Sequence, residues 1–203
     1  MPEYYMFHKP RGCVTARRDE RHKTVMDYFP PDKRDTLFPV GRLDKDTEGL
    51  LLVTDDGALC YRLLMPESEV EKTYFFWAQG LLTEEKYTEL ERGVKIYKNR
   101  DDITAPAKIT VTGVSTLRDI KDLLSEDDNK VSNRRGDLPV TSGYITITEG
   151  KKHQVKRMIR YAGCRVVYLK RMSMGALILD ESLAAGEYRP LTEEELALLK
   201  GER

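Results

Sequence analysis

The sequence predicts an α+β fold, a mixed and mostly antiparallel sheet with helices on its flanks. Three observations carry this. Apolar runs of strand length recur, among them Leu50-Leu-Leu-Val53 and residues 72–79 (KTYFFWAQ). Residues 107–114 (AKITVTGV) and 143–150 (GYITITEG) alternate as half-buried strands do. Helical patterns closed by Gly or Pro stand between the strands, a mixture that suits antiparallel sheet with helices to its sides.

The elements follow in order. Residues 4–10 (YYMFHKP) read as a short strand closed by Pro10, and 24–29 (TVMDYF) as a short helix stopped by Pro30-Pro31. Residues 49–54 (GLLLVT) are apolar throughout, the mark of a central strand. Asp55-Asp56-Gly57 is a turn, with Asp55 or Asp56 placed to cap a helix through 58–65 (ALCYRLLM), which ends at Pro66. Residues 83–93 (TEEKYTELERG) open like a capped helix and close at Gly93. The stretch 116–139 is expected to be a short helix followed by a mobile surface loop, because its second half is polar and lacks an apolar period. Residues 153–163 (HQVKRMIRYAG) form a helix with Val155, Met158, Ile159 and Ala162 on one face. A strand through 164–175 then leads to 187–191 (EYRPL) and a capped terminal helix, 192–199 (TEEELALL).

Composition bounds the class. A chain of 203 residues, 40% apolar and 33% charged, suits one large domain or two small ones. No apolar run is long enough to cross a membrane and the start carries no signal pattern, so a soluble cytoplasmic protein is expected. Cys13, Cys60 and Cys164 are odd in number and far apart, which suits a reducing compartment and matches no zinc spacing. Net charge is zero, yet its distribution is uneven. From Lys151 to Arg171 there are eight Lys/Arg and no Asp/Glu, leaving 26 basic against 34 acidic residues elsewhere. Such a run is the footprint of a polyanion site; a merely solvated helix face usually carries both signs.

Asp44, in GRLD, lies on a loop feeding the strand at Gly49, where a rigid element can fix a reacting carboxylate. Position alone is a weak signal, since most Asp residues in such loops cap or are solvated. A Mg²⁺ site from Asp44, Asp46, Asp55 and Asp56 is a further reading, weakened by Lys45 inside the first pair and by the turn chemistry of the second. His153 has no second His at metal spacing. Lys72 and Tyr74 alternate, so both point to one face of their strand, a pairing less typical of plain core.

Four blocks in order, VGRLDKDTEGLLLVTDDG (40–57), EKTY (71–74), EGKKHQVKRM (149–158) and GEYRPLTEEE (186–195), resemble the RsuA/RluB/RluE-type family of ribosomal RNA pseudouridine synthases. The similarity runs from HKPRG (8–12) to the terminal EYRPLTEEEL. It implies the pseudouridine synthase fold with a central cleft, spanning 1–203 as a single catalytic domain, with 116–139 as a surface insertion. It implies Asp44, Tyr74 and Lys156 as catalytic residues, and Arg42 as the side chain that fills the gap left by a flipped nucleotide. Lys72, Lys151, Lys152, His153, Gln154, Arg157 and Arg160 are the remaining candidates for holding substrate RNA. The reaction needs no redox change or energy input, so no cofactor and no metal are expected. The partner is ribosomal RNA or a ribosome assembly intermediate, met by a monomer.

Two departures bear on substrate, and one is 116–139, which looks longer than the family's usual connection between these strands and is read as a tolerated insertion. The first strand begins at once, so the S4-type RNA-binding domain common in the family is expected to be absent, as it is in one large-subunit subgroup. The HQVKRM block and the GEYRPLTEEE ending are more similar to the small-subunit (16S) enzyme. Small-subunit RNA is therefore the leading expectation and large-subunit (23S) RNA the alternative. A non-catalytic RNA-binding protein and a Mg²⁺-dependent nuclease or phosphotransferase remain as rivals.

Overall fold

The computed structural model describes residues 1–201. The chain divides into two compact units, Met1–Lys72 with the chain from Lys170 onward, and Thr73–Leu169.

In the first unit, β1 (Tyr4–Lys9) pairs antiparallel with β3 (Glu48–Thr54) on one side and β9 (Tyr188–Pro190) on the other. The short β2 (Phe38–Pro39) lies against the end of β3. The start of β3 runs parallel to the second half of β7 (Arg165–Met174), with Gly49 opposite Arg171. A short β8 (Leu177–Ile178) returns on β7. The strand order is β7-β3-β1-β9. Every residue from Gly49 to Thr54 is buried, which is why this strand is a continuous apolar run and does not alternate.

Three helices accompany this sheet: α1 (Pro31–Arg34), α2 (Gly57–Leu64) and α6 (Glu193–Lys200). Met6, Leu50 and Leu52 pack with Leu59 and Leu63 of α2 and with Leu199 of α6. The opposite parity of β1 carries Tyr5 and Phe7, which meet Phe29; Phe29 stacks on Tyr188 at 4.2 Å. Asp56 caps α2, accepting from Leu59 N at 2.9 Å and from the Tyr4 hydroxyl at 2.7 Å. These bonds, led by the Leu59 N–H, hold its carboxyl below the usual carboxylate range. Asp55 accepts from Glu3 N at 2.7 Å, so this acidic pair serves the turn and the cap.

In the second unit the order is β5-β6-β4-β7, from β5 (Lys108–Thr116), β6 (Pro139–Ile147), β4 (Lys72–Gln79) and the first half of β7. β5 and β6 form an antiparallel pair with a bulge between Val111 and Gly113. The helices are α3 (Glu84–Arg92), α4 (Glu126–Arg135) and α5 (Gln154–Tyr161). Expected elements are found at nearly every position read from sequence. Residues 25–28 make a 3₁₀ turn where a short helix was expected.

The stretch 116–139 departs from expectation. Its first half has only a 3₁₀ turn, Lys121–Leu123, and the polar second half is the helix α4. The reason is capping and charge. Ser125 accepts from Asp128 N, three acids occupy the first turn, and Arg134 and Arg135 close the last turn, all in the sense of the helix dipole. Only Ser132 of α4 is buried, so no apolar period could announce it. Leu117, Ile120 and Leu124 ahead of it pack with Val140 and Val167 and tie the segment down.

Candidate active site

The loop that carries Asp44 is held from several directions by its own unit. At its entry Val40 N donates to Leu52 O at 2.8 Å. Gly41 turns the chain at φ +75°. Leu43 is buried, and the Thr15 hydroxyl takes both of its backbone groups, donating to Leu43 O at 2.8 Å and accepting from Leu43 N at 3.1 Å. Asp44 O accepts from Thr47 N at 3.1 Å, closing a turn with Lys45 and Asp46 exposed at its corner. Asp44 itself is half-buried and Arg42 is exposed.

Beneath this turn sits Lys9, a lysine with no exposed surface. Its Nζ donates to Thr47 O at 2.9 Å, and to Asp44 O and Pro10 O at 3.0 Å each. Three close carbonyls match the three N–H donors of an ammonium; a neutral amine would have only two. Burial pushes the Lys9 amine below its ordinary value, against the pull of Cys13, Asp46, Asp44 and Glu48. Lys9 is thus a structural pin for the Asp44 backbone.

The loop exits into β3 through Glu48, paired with Arg11 at 3.1 Å, and Gly49 at φ +108°. A Cβ at Gly49 would stand 2.3 Å from Arg171 O. Gly49→Ala is expected to cost about 2–3 kcal/mol from backbone strain and overpacking. Thermal unfolding measures it, and an unchanged midpoint would refute this role. Arg171 is 2% exposed and donates Nε–H to Leu50 O at 2.8 Å. It braces the same strand from inside. Lys72 is half-buried and donates to Val70 O at 2.9 Å; burial and then the Arg171 charge lower its amine's pKa.

The second unit places the other candidates. Tyr74 is buried on the face of β4 that also buries Phe76 and Ala78, and Lys72 shares their parity. Helix α5 buries Gln154, Val155, Met158 and Ile159. His153, Lys156, Arg157 and Arg160 follow at spacings of three and four, one stripe along the helix. With Arg165 and Val166 they line an open hollow of about 360 Å³. Arg157 lies over the Tyr97 ring at 4.3 Å, with Arg100 also over that ring at 5.1 Å.

The basic run 151–171 is therefore divided. Lys151 pairs with Glu149 at 3.1 Å and Asp102 at 3.3 Å. Burial works against its charge, yet these carboxylates raise the amine above its ordinary value. Gln154, 3% exposed, donates to Glu149 at 2.6 Å and accepts from Lys151 N at 2.9 Å, so it ties the start of α5 to the preceding loop. Lys152 and His153 are exposed, and Arg171 is internal. The acids that balance Lys151 lie outside the window in which the sequence shows none. Lys9, Thr15 and Arg171 are the supporting residues that sequence reasoning did not assign. Among the described residues, no three His, Cys, Asp or Glu side chains gather as for a metal ion. No described helix is long and apolar enough to cross a membrane.

Comparison with known proteins follows the same lines. Residues 3–161 match the family model for RNA pseudouridylate synthase. The chain is 45% identical over 200 residues to the uncharacterized RNA pseudouridine synthase YtzG of Bacillus subtilis, covering 97% of this chain and 72% of that one. It is 38% identical over 196 residues to ribosomal small subunit pseudouridine synthase A of Salmonella typhimurium, covering 97% of this chain and 73% of that one. A crystal structure of a pseudouridylate synthase superposes with a TM-score of 0.80 at 34% identity, over 98% of this chain and 74% of that one. The archaeal box H/ACA Nop10–Cbf5 complex, at TM-score 0.56 and 14% identity over 91% of this chain and 51% of that one, shares the fold alone.

Proposed function

The chain belongs to the RNA pseudouridylate synthase family, and we propose that it converts a uridine of small-subunit ribosomal RNA to pseudouridine with Asp44 as the reacting carboxylate. The observation that carries this is the fixing of the Asp44 backbone by the buried Lys9 ammonium. A reacting carboxylate works only at a fixed distance and angle, and this loop is held through its backbone at Val40, Leu43 and Asp44.

The chemistry balances with one carboxylate. In one route Asp44 attacks C1′ and the N1–C1′ bond breaks, its electron pair going to the uracil. The base turns, C5 bonds to C1′ as the ester bond breaks, and the C5 proton leaves while N1 gains one. In the other, Asp44 removes the C2′ proton as the N1–C1′ bond breaks, its electron pair going to the uracil; the glycal regains its proton at C2′ as C5 bonds to C1′, and the C5 proton leaves while N1 gains one. Either way the carboxylate ends as it began, and no electrons are gained or lost. Lys156 is the cation proposed to keep the carboxylate ionised. Tyr74 is proposed to stack on the uracil and to act in proton transfer at C5. The target base is enclosed in folded RNA and must be flipped out, and the planar guanidinium of the exposed Arg42 suits the gap. His153, Arg157 and Arg160 are proposed to hold phosphates, so binding should weaken with salt. We place the protein in the cytoplasm, acting as a monomer on ribosomal RNA or an assembly particle.

The test uses unmodified small-subunit RNA with EDTA present. Pseudouridine is expected with the wild type and not with Asp44→Asn. Cleaved RNA in place of pseudouridine would overturn the reading. Mapping pseudouridines in RNA from a strain lacking the gene then names the uridine, and a lost site in large-subunit RNA would reassign the substrate.

A further inference from the structure

A second hollow opens in the second unit, lined by Gln79, Leu138, Pro139, Arg160, Gly163 and Arg165 among others. It adjoins the α5 hollow, and Arg160 and Arg165 line both. Lys86 is close by, since a Cβ on Gly163 would stand 3.6 Å from its Nζ. Three cations thus stand around a pocket whose other wall, Leu138 and Pro139, is apolar. Cations alone would suit any anion. Cations beside an apolar wall and an amide suit a nucleotide, with its phosphate, its flat base and the polar base edge.

Arg165 is held in place for such a ligand. Its Nη2 donates to Gln79 Oε1 at 2.9 Å and pairs with Asp128 Oδ1 at 2.7 Å. Both bonds fall on one nitrogen, and the side chain keeps 45% of its surface exposed. The Asp128 partner is 14% exposed and sits in the first turn of α4. The helix that no apolar period announced supplies the carboxylate that sets this arginine.

We propose that this second hollow seats a nucleotide of the substrate RNA that flanks the target uridine at a short remove, with its phosphate between Arg160 and Arg165 and its base against Leu138 and Pro139. Gln79 reads the base edge, and α4 acts as a positioning element through Asp128. The proposal rests on the synthase reading above. Tyr74 and Gln79 are five residues apart on β4, roughly 17 Å along the strand, so the seated nucleotide lies about two or three positions from the target uridine.

Steady-state pseudouridine formation on a small-subunit RNA fragment tests it. Arg165→Gln is expected to raise KM about tenfold with kcat within about twofold, and to lower the salt slope of binding by about one phosphate contact. Asp128→Asn keeps the cation but releases it, and is expected to raise KM about threefold. Arg134→Gln, the same charge change at the far end of α4, is expected to leave KM unchanged. Abasic substitution at one flanking position should raise the wild-type KM about tenfold, and that penalty should vanish in Gln79→Ala. A KM for Arg165→Gln within twofold of that for Arg134→Gln, at equal melting temperature, overturns the subsite. If Arg165→Gln melts early, Gln79→Ala and Asp128→Asn decide: an abasic penalty undiminished in Gln79→Ala, with KM unmoved in Asp128→Asn, overturns it. A wild type that forms no pseudouridine on any ribosomal RNA overturns the synthase reading on which it stands.

Discussion

Asp44→Asn is expected to lower the rate of pseudouridine formation by about 10⁴-fold or more, with RNA binding and the unfolding midpoint nearly unchanged. Asn keeps the shape of the side chain but can neither attack C1′ nor take the C2′ proton, so both routes close together. The loop should survive the change, because Lys9 and Thr47 hold Asp44 through its backbone oxygen, which the substitution keeps. Quantifying pseudouridine by chromatography of digested RNA, beside a thermal melt and a binding isotherm, separates the three readouts. Residual activity above about a tenth of wild type would remove Asp44 from the chemistry and leave the rival, an RNA-binding protein, in its place.

Lys9→Met is expected to cost about 3–5 kcal/mol. Met has nearly the length and volume of the lysine stem, so the site should not collapse. The loss comes from the carbonyls of Pro10, Asp44 and Thr47, which stay buried without their shared donor. For a chain of this size the unfolding midpoint should fall by roughly 10 °C. Activity at a temperature where the variant is folded should also fall, on the order of tenfold in kcat, because the turn carrying Asp44 is no longer fixed. KM should move little, since Lys9 has no exposed surface with which to touch RNA. A loss carried in KM, or a midpoint within about 2 °C of wild type, would show that the carbonyl cage is not what fixes the loop.

Much of the architecture was legible in the sequence because most elements here announce themselves locally. The run 50–53 is apolar throughout because β3 has neighbours along both edges and cover on both faces. Asp56 and Thr192 cap their helices as turn chemistry predicts. Helix α4 was missed because an apolar period was the criterion, while capping by Ser125 and matched end charges are what hold it. Both signals were present in SEDDNKVSNRR, and a reading of caps ahead of periodicity finds them.

For the site, the resemblance carried by the motif blocks nominated Asp44, Tyr74 and Lys156, and the family match supports the resemblance itself. Lys9 left a fainter trace. It shares the parity of Tyr5 and Phe7 on β1, so strand alternation alone sends it inward with them. That a lysine could lie there depended on three carbonyls supplied by residues 10, 44 and 47, which only the folded chain gathers.

The sequence by itself determined most of the elements and the family, and nominated Asp44 as the carboxylate to test, because these rest on residue type, short-range order and caps. The tertiary structure alone decided which charges are available. Lys151 is neutralised by Glu149 and Asp102, Arg165 is set by Asp128, and Arg171 is enclosed against Leu50. A count along the chain sees charge only by neighbours in sequence. Electrostatic energy and hydrogen bonding act by distance in space, and in this protein Asp102, Asp128 and Leu50 come to their partners from tens of residues away.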